Sequence, residues 1–148
     1  MIYRRHICKV CLFMFFMFGA YGYSLSDSGG IVKEYGIYSE ERRLIKETKT
    51  IPAHKIVRFG FCFEAFVDFY EGDKYMLVQT LTHPKIEDDG GWPNIGYSVP
   101  RKFKVVEGIA QGCVDYKARD SNEAPAGDWI FSITDGRVEL IKIKFILK

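Results

Sequence analysis

The side chains that carry most enzyme and metal chemistry are sparse in this sequence. Beyond residue 22 there are two cysteines, Cys62 and Cys113, and two histidines, His54 and His83. Neither histidine stands at a recognisable family spacing from a cysteine, and His83 has no second His or Cys at metal-ligand spacing. No strand–nucleophile–helix turn is present to hold a catalytic serine. We therefore expect no catalytic residues and no metal site.

An acidic turn is the next candidate for chemistry. Glu87, Asp88 and Asp89 precede Gly90 and Gly91 and offer the oxygen ligands that calcium prefers. The alternating ligand spacing of a known calcium loop is absent. We interpret the turn as a solvated loop and expect no cofactor.

Aromatic and imidazole side chains give the best candidates for binding. Trp92 stands beside Pro93 in the longest expected loop, residues 84–94, where it would either anchor a partner or fold down to plug the end of the domain. His83 precedes Pro84, which favours an extended backbone and a hydrogen bond at the loop edge. With Tyr97, these residues form the predicted binding set: Trp92, Tyr97 and His83.

The elements that must position these residues are strands. Over residues 57–69 every odd position is apolar, including Phe59, Phe61 and Phe63, while Phe66 is the only large apolar residue at an even position. This two-residue period predicts a strand with one buried face. Residues 129–133 and 141–147 alternate in the same way around a turn at 134–137, which predicts a hairpin.

Further short strands are expected, each bounded by turn residues, and no segment has helical periodicity. They cover residues 31–38, 44–51, 75–82, 97–106 and 109–117. Seven to eight strands predict an all-β fold, an immunoglobulin-like antiparallel sandwich of two sheets over residues 31–148. A small barrel is the alternative.

Strand phase also bears on the cysteines. Cys62 shares its face with Arg58 and Glu64, and Cys113 shares its face with Asp115, so both sulfurs point away from the predicted core. An immunoglobulin-type bridge through the core is therefore excluded. We predict a cross-strand disulfide on the outer face, which requires the two strands to be neighbours within one sheet; the alternative is two separate thiols.

The N-terminus has the layout of an export signal. Arg4, Arg5 and Lys9 precede an apolar run over residues 10–18, and a small-x-small tripeptide ends at Gly22. The 11 residues from 10 to 20 would span about 16 Å as a helix, too short for a membrane core of about 30 Å. We expect a signal helix at 1–22 with cleavage after Gly22, a linker at 23–30, and a periplasmic or secreted product without a stable membrane anchor.

The charge balance excludes one class of partner. Residues 23–148 hold 18 of the 21 basic residues and all 19 acidic residues, which gives a net charge of −1. Without a positive field to attract phosphates, nucleic acid is not an expected partner.

Several short motifs resemble a known family. They are Tyr35-Gly36-Ile37-Tyr38, Phe59-Gly60-Phe61, His83-Pro84, and Gly127-Asp128-Trp129-Ile130-Phe131 with Phe145. Together they resemble an uncharacterised family of exported bacterial domains of unknown function with an immunoglobulin-like sandwich. The resemblance implies a periplasmic or exported setting and no established activity.

Three functions are compatible with these observations. The first is an exported, non-catalytic binding or adaptor domain that contacts a protein through a strand edge or through residues 84–94. The second is a structural accessory subunit of a cell-envelope assembly. The third, which has the least support, is a small exported enzyme.

Overall fold

The computed structural model of the protein describes residues 29–67, 72–87 and 90–148. The predicted signal helix and residues 23–28 of the predicted linker lie outside these ranges. The strands are β1 (Gly30–Tyr38), β2 (Leu44–Lys46), β3 (Thr50–Ile51), β4 (Arg58–Phe66), β5 (Lys74–Glu87), β6 (Pro93–Val106), β7 (Ile109–Lys117), β8 (Gly127–Thr134) and β9 (Glu139–Leu147). One short 3₁₀ turn, Ser121–Glu123, precedes β8. The all-β class is confirmed.

All nine strands belong to one hydrogen-bonded sheet, in the order β2-β1-β4-β7-β6-β5-β8-β9-β3. The predicted division into two sheets is therefore not confirmed. The link between β6 and β7 is short, with three residue pairs from Lys104–Gln111 to Val106–Ile109. The prediction of a wholly antiparallel arrangement is wrong, because β3 pairs in parallel with β9.

The sheet curls until its two edges approach each other. β2 and β3 lie at opposite ends of the strand order, yet only residues 47–49 separate them in sequence. A trans chain advances at most about 3.6 Å per residue, so the two edges must lie close together in space. The backbone N–H of Ile146 donates to the carbonyl of Lys49 at 2.8 Å and fixes this connection to β9.

The core fills the inside of the curl. Phe59, Phe61 and Phe63 of β4 point inward, as the two-residue period predicts. Phe59 packs against Phe131 and Phe145 of the β8–β9 hairpin, and Phe61 also packs against Phe131. The predicted hairpin is confirmed by the pairs from Gly127–Leu147 to Thr134–Glu139. The two-residue alternation of apolar residues therefore predicted which side chains of these strands are buried in the core.

Two strand boundaries differ from the prediction. Residues 44–51 form two short strands instead of one, because β2 pairs with β1 while β3 pairs with β9. The expected loop at 84–94 is shorter, because β5 continues to Glu87 and β6 starts at Pro93. The β5–β6 register shifts between Thr82 and Ile86. Pro84 lies in this bulge, where the ladder does not need its missing N–H.

One flank of β6 is open. β6 pairs with β5 along its length, but on its other side β7 joins it only at Lys104–Val106. Residues 93–103 therefore have no strand partner on that side within the described chain. Pro100 lies in this stretch, as expected for a proline in a strand, which is tolerated at an edge.

Candidate functional site

The cysteines lie directly opposite each other in the β4–β7 ladder and form a disulfide with an S–S distance of 2.05 Å. The predicted cross-strand bridge on the outer face is therefore present. Cys113 is exposed and Cys62 is half-buried. The Cys62 sulfur lies 3.3 Å from the Glu34 carboxylate.

Charged side chains surround this disulfide and pair with one another. Arg58 and Asp115 form a largely buried ion pair between β4 and β7, and Glu40 lies 2.7 Å from the ammonium of Lys117. The hydrogen bond from Lys117 lowers the pKa of the Glu40 carboxyl. Burial, followed by the nearby Glu34, raises the pKa of the Tyr38 hydroxyl, which therefore stays protonated. In both ion pairs the two side chains have opposite charges that compensate each other.

A second region, at the Glu87 end of β5, contains His83. His83 is only 6% exposed, although a hydrogen-bonded position at the edge of a loop was expected. Its ring stacks on Trp129 with a centroid separation of 4.8 Å, and Nδ1 lies 2.7 Å from the Pro84 carbonyl oxygen. The prediction of a loop-edge position is wrong because β5 extends through the bulge and turns this side chain onto the core.

A cavity of about 180 Å³ opens beside His83. Its lining also includes Tyr97 of β6 and Tyr116 of β7. The cavity therefore brings together His83 and Tyr97, two of the three predicted binding residues. The Tyr116 hydroxyl donates to the Glu123 carbonyl at 3.0 Å, and Gln79 donates through Nε2 to the Tyr97 hydroxyl at 3.2 Å. Burial raises the pKa of Tyr97 and raises that of Tyr116 to about 12. Both hydroxyls are therefore protonated in neutral solution.

An adjoining cavity of about 380 Å³ is lined by Lys85, Ile86, Glu87, Asp120, Asn122 and Glu123. Ile86, Glu87 and Glu123 line both cavities, so the two adjoin along these residues. We call this combined surface the end groove. One wall is the end of β5, and the other is the segment 119–123 that follows β7.

The segment 119–123 is held by its own side chains. The Asp120 carboxylate accepts hydrogen bonds from the backbone N–H groups of Asn122 and Glu123 and so caps the 3₁₀ turn. Glu123 accepts from the Arg119 backbone N–H at 2.7 Å and from Arg119 Nε at 2.8 Å. These bonds lower the pKa of the Glu123 carboxyl, with the Arg119 side chain as the largest cause.

Trp92, the third predicted binding residue, does not line the end groove. Its side chain is 74% exposed in the short connection before β6, so it does not plug the end of the domain. Trp129 of β8 occupies the buried position instead and donates through Nε1 to the Pro125 carbonyl at 3.2 Å.

Sequence reasoning missed the β7 side of the end groove. Tyr116, Arg119 and Glu123 lie more than 30 residues from His83 in sequence, and β7 and β5 are not adjacent in the sheet. The one local signal was Asp120 followed three residues later by Glu123, the spacing of a helix-start motif.

Replacing Glu123 with glutamine tests the 119–123 wall through its pH dependence. Because the folded pKa is lowered, the ionised carboxylate stabilises the fold above the ordinary glutamate pKa of about 4.3. We expect Glu123→Gln to lose roughly 1 kcal/mol at pH 7. The loss shrinks as the pH falls through that value and disappears below the folded pKa. Urea unfolding at a series of pH values measures it.

The matched control is Glu41→Gln. Glu41 is 66% exposed and lies 3.8 Å from Arg43, so its replacement should change stability little at any pH. A Glu123→Gln effect that is equally large at pH 3 would contradict the ion pair with Arg119.

Residues 29–67, 72–87 and 90–148 contain no cluster of three His, Cys, Asp or Glu side chains suited to a metal ion. The same residues contain no helix that could cross a membrane. Asp88 and Asp89 of the acidic turn lie outside the described ranges.

Comparison with solved structures gives one informative neighbour. An immunoglobulin-like protein from Pseudomonas aeruginosa superposes with a TM-score of 0.64 at 20% identity, over 83% of this chain and 100% of that one. At this identity the likeness shows the fold alone, which is immunoglobulin-like. An alkylpurine DNA glycosylase from Pseudomonas fluorescens gives a TM-score of 0.40 at 14% identity, over 82% of this chain and 31% of that one. This second likeness is too weak to support an argument.

Comparison with protein families identifies the family to which the chain belongs. No curated protein matches the chain. Residues 14–146 match the family described as a domain of unknown function, DUF3859. The match covers most of the sequence, including every strand from β1 to β8 and nearly all of β9. The chain therefore belongs to the DUF3859 family of domains of unknown function.

Proposed function

We propose that this protein is a non-catalytic binding domain that contacts a protein partner through the end groove. The observation that carries the proposal is the convergence of His83, Tyr97 and Tyr116 on one cavity. Tyrosine is enriched at protein–protein interfaces because it combines a large apolar surface with a polar end and few rotatable bonds.

The groove side chains are fixed before any partner arrives. Trp129 supports the His83 ring, Glu123 holds the Tyr116 hydroxyl, and Gln79 holds the Tyr97 hydroxyl. Such preorganisation reduces the entropy lost on binding. Strands β5, β6 and β7 carry these residues, and rigid elements position a site more accurately than loops do.

We also propose that the protein is exported from the cytoplasm. The signal-like segment at residues 1–22 and the Cys62–Cys113 disulfide both favour the periplasm or the outside of the cell, where disulfides persist. We further propose that the curled sheet has the architecture of a two-layer sandwich. The three-pair link between β6 and β7 and the immunoglobulin-like neighbour support this description.

The test blocks the groove without disturbing the core. Asn94 is exposed and lines the cavity beside His83, so Asn94→Trp should fill the cavity. In pull-down from an envelope extract with the tagged, exported protein, we expect a stoichiometric partner whose binding Asn94→Trp weakens about tenfold or more.

Met76→Trp is the matched control. Met76 is 49% exposed at the opposite end of β5, so the same bulky addition there should leave capture unchanged. Trp92→Ala separately measures the contribution of the connection before β6. Full capture by Asn94→Trp would contradict the end groove as the contact and favour a structural accessory that assembles through another surface.

A further inference from the structure

The hydrogen bonding of His83 determines which of its ring nitrogens can accept a hydrogen bond. Nδ1 lies 2.7 Å from the Pro84 carbonyl oxygen, and a carbonyl can only accept, so Nδ1 carries the proton. In the neutral ring Nε2 is then the lone-pair nitrogen. His83 is only 6% exposed and lines the cavity. A ligand in the cavity that reaches Nε2 would therefore have to donate the hydrogen bond.

Two tyrosine rings line the cavity together with His83. Tyr116 lies close to both His83 and Trp129, with centroid separations of 6.4 and 4.8 Å, and Tyr97 lines the same cavity. The faces of aromatic rings carry negative potential and attract cations such as ammonium and guanidinium groups. Ile86 supplies an apolar side to the cavity.

The charges of the end groove favour a cation as well. Glu87 pairs with Lys85 at 3.2 Å, and Glu123 pairs with Arg119. Asp120 adds a third carboxylate, whose hydrogen bonds come from backbone N–H groups. The groove lining thus has three acidic and two basic side chains.

We propose that the cavity beside His83 binds a lysine or arginine side chain of the protein partner. The inference rests on the proposed function and specifies the chemistry recognised at the same groove. The cavity volume of about 180 Å³ is below the ~300 Å³ at which drug-sized ligand pockets begin, and it suits one side chain. The cationic group donates to His83 Nε2 and lies against the tyrosine rings, and its methylene chain lies along Ile86.

The direct test uses the whole exported protein and three small probes. These are the N-acetyl amides of arginine, lysine and norleucine, the last being close to lysine in shape but uncharged. Binding is followed by NMR of the His83 side-chain nitrogens at pH 8, where an ordinary imidazole is neutral. We expect the arginine or the lysine amide to shift the Nε2 resonance and to bind at least about tenfold more tightly than the norleucine amide.

Two variants test the His83 acceptor and the negative charge of the end groove. His83→Phe keeps an aromatic ring over Trp129 and removes the Nε2 acceptor. Asp120→Asn removes one negative charge and keeps the side-chain oxygen that caps the turn. Each should weaken binding of the cationic probe several-fold, and thermal melting should show that both proteins are folded. If either variant fails to fold, the wild-type comparison of charged with uncharged probes still decides.

The possible failures are distinguishable. Equal binding of norleucine amide, or no binding of either cationic amide at millimolar concentration, would overturn the cationic side chain as ligand. If Asn94→Trp still abolished partner capture in that case, the groove as the partner contact would stand. If Asn94→Trp left capture unchanged, the proposed function itself would fail, whatever the probes did.

Discussion

Replacing Phe59 with alanine should lower the free energy of unfolding by about 3–5 kcal/mol. Phe59 is fully buried. The centroid of its ring lies within 6.0 Å of the ring centroids of Trp129, Phe131, Phe145 and Tyr116. Phe59 lies on β4, and its four partners lie on β7, β8 and β9. The ring therefore packs strands from different parts of the curled sheet against one another. Alanine would leave a cavity that several strands would have to move to fill.

Denaturant unfolding followed by tryptophan fluorescence measures this effect, because Trp129 contacts Phe59 directly. Phe66→Ala is the matched control. Phe66 lies in the same strand but on the outer face, where its side chain is 48% exposed. We expect Phe66→Ala to cost less than about 1 kcal/mol. Similar losses for the two variants would contradict the assignment of the faces of β4.

Removing the disulfide should have the second large effect. The Cys62→Ala, Cys113→Ala double variant loses a link between residues 51 positions apart in sequence. The chain-entropy model gives a loss of about 4 kcal/mol for a loop of this length. Because β4 and β7 also share a ladder from Arg58–Lys117 to Phe66–Ile109, the variant should still fold.

Urea unfolding of the oxidised protein, the reduced protein and the double variant measures this loss, and the last two should agree. Glu64→Ala with Gln111→Ala is the control, since these residues face each other two positions from the disulfide on the same strands. It should change stability by less than about 1 kcal/mol. A double cysteine variant as stable as the oxidised wild type would refute a stabilising role for the bridge.

Much of the fold could be predicted because burial imposes a simple period on a strand. The odd positions of β4 and the apolar positions of the β8–β9 hairpin are buried as their alternation requires. The same phase placed Cys62 and Cys113 on the outer face, where the bridge lies. These successes depend on local pattern and on nothing distant in the chain.

The errors arise where local and distant effects compete. Pro84 and Pro93 indicated a loop, but a bulge allows Pro84 to lie inside β5 and Pro93 begins β6. Gln79 shares the inward face of β5 with Leu77 and Leu81 and is completely buried although it is polar, and it donates to Tyr97. The end groove depends on how the sheet curls, because His83 and Tyr116 belong to strands that are not neighbours.

The open flank of β6 has a consequence for solubility. An unpaired strand edge can template the addition of a strand from another molecule and so start fibrils. Pro100 interrupts the row of N–H donors at that flank, and Arg101 and Lys102 add two exposed positive charges beside it. Copies of this protein that meet at high concentration are thereby hindered from joining edge to edge into filaments.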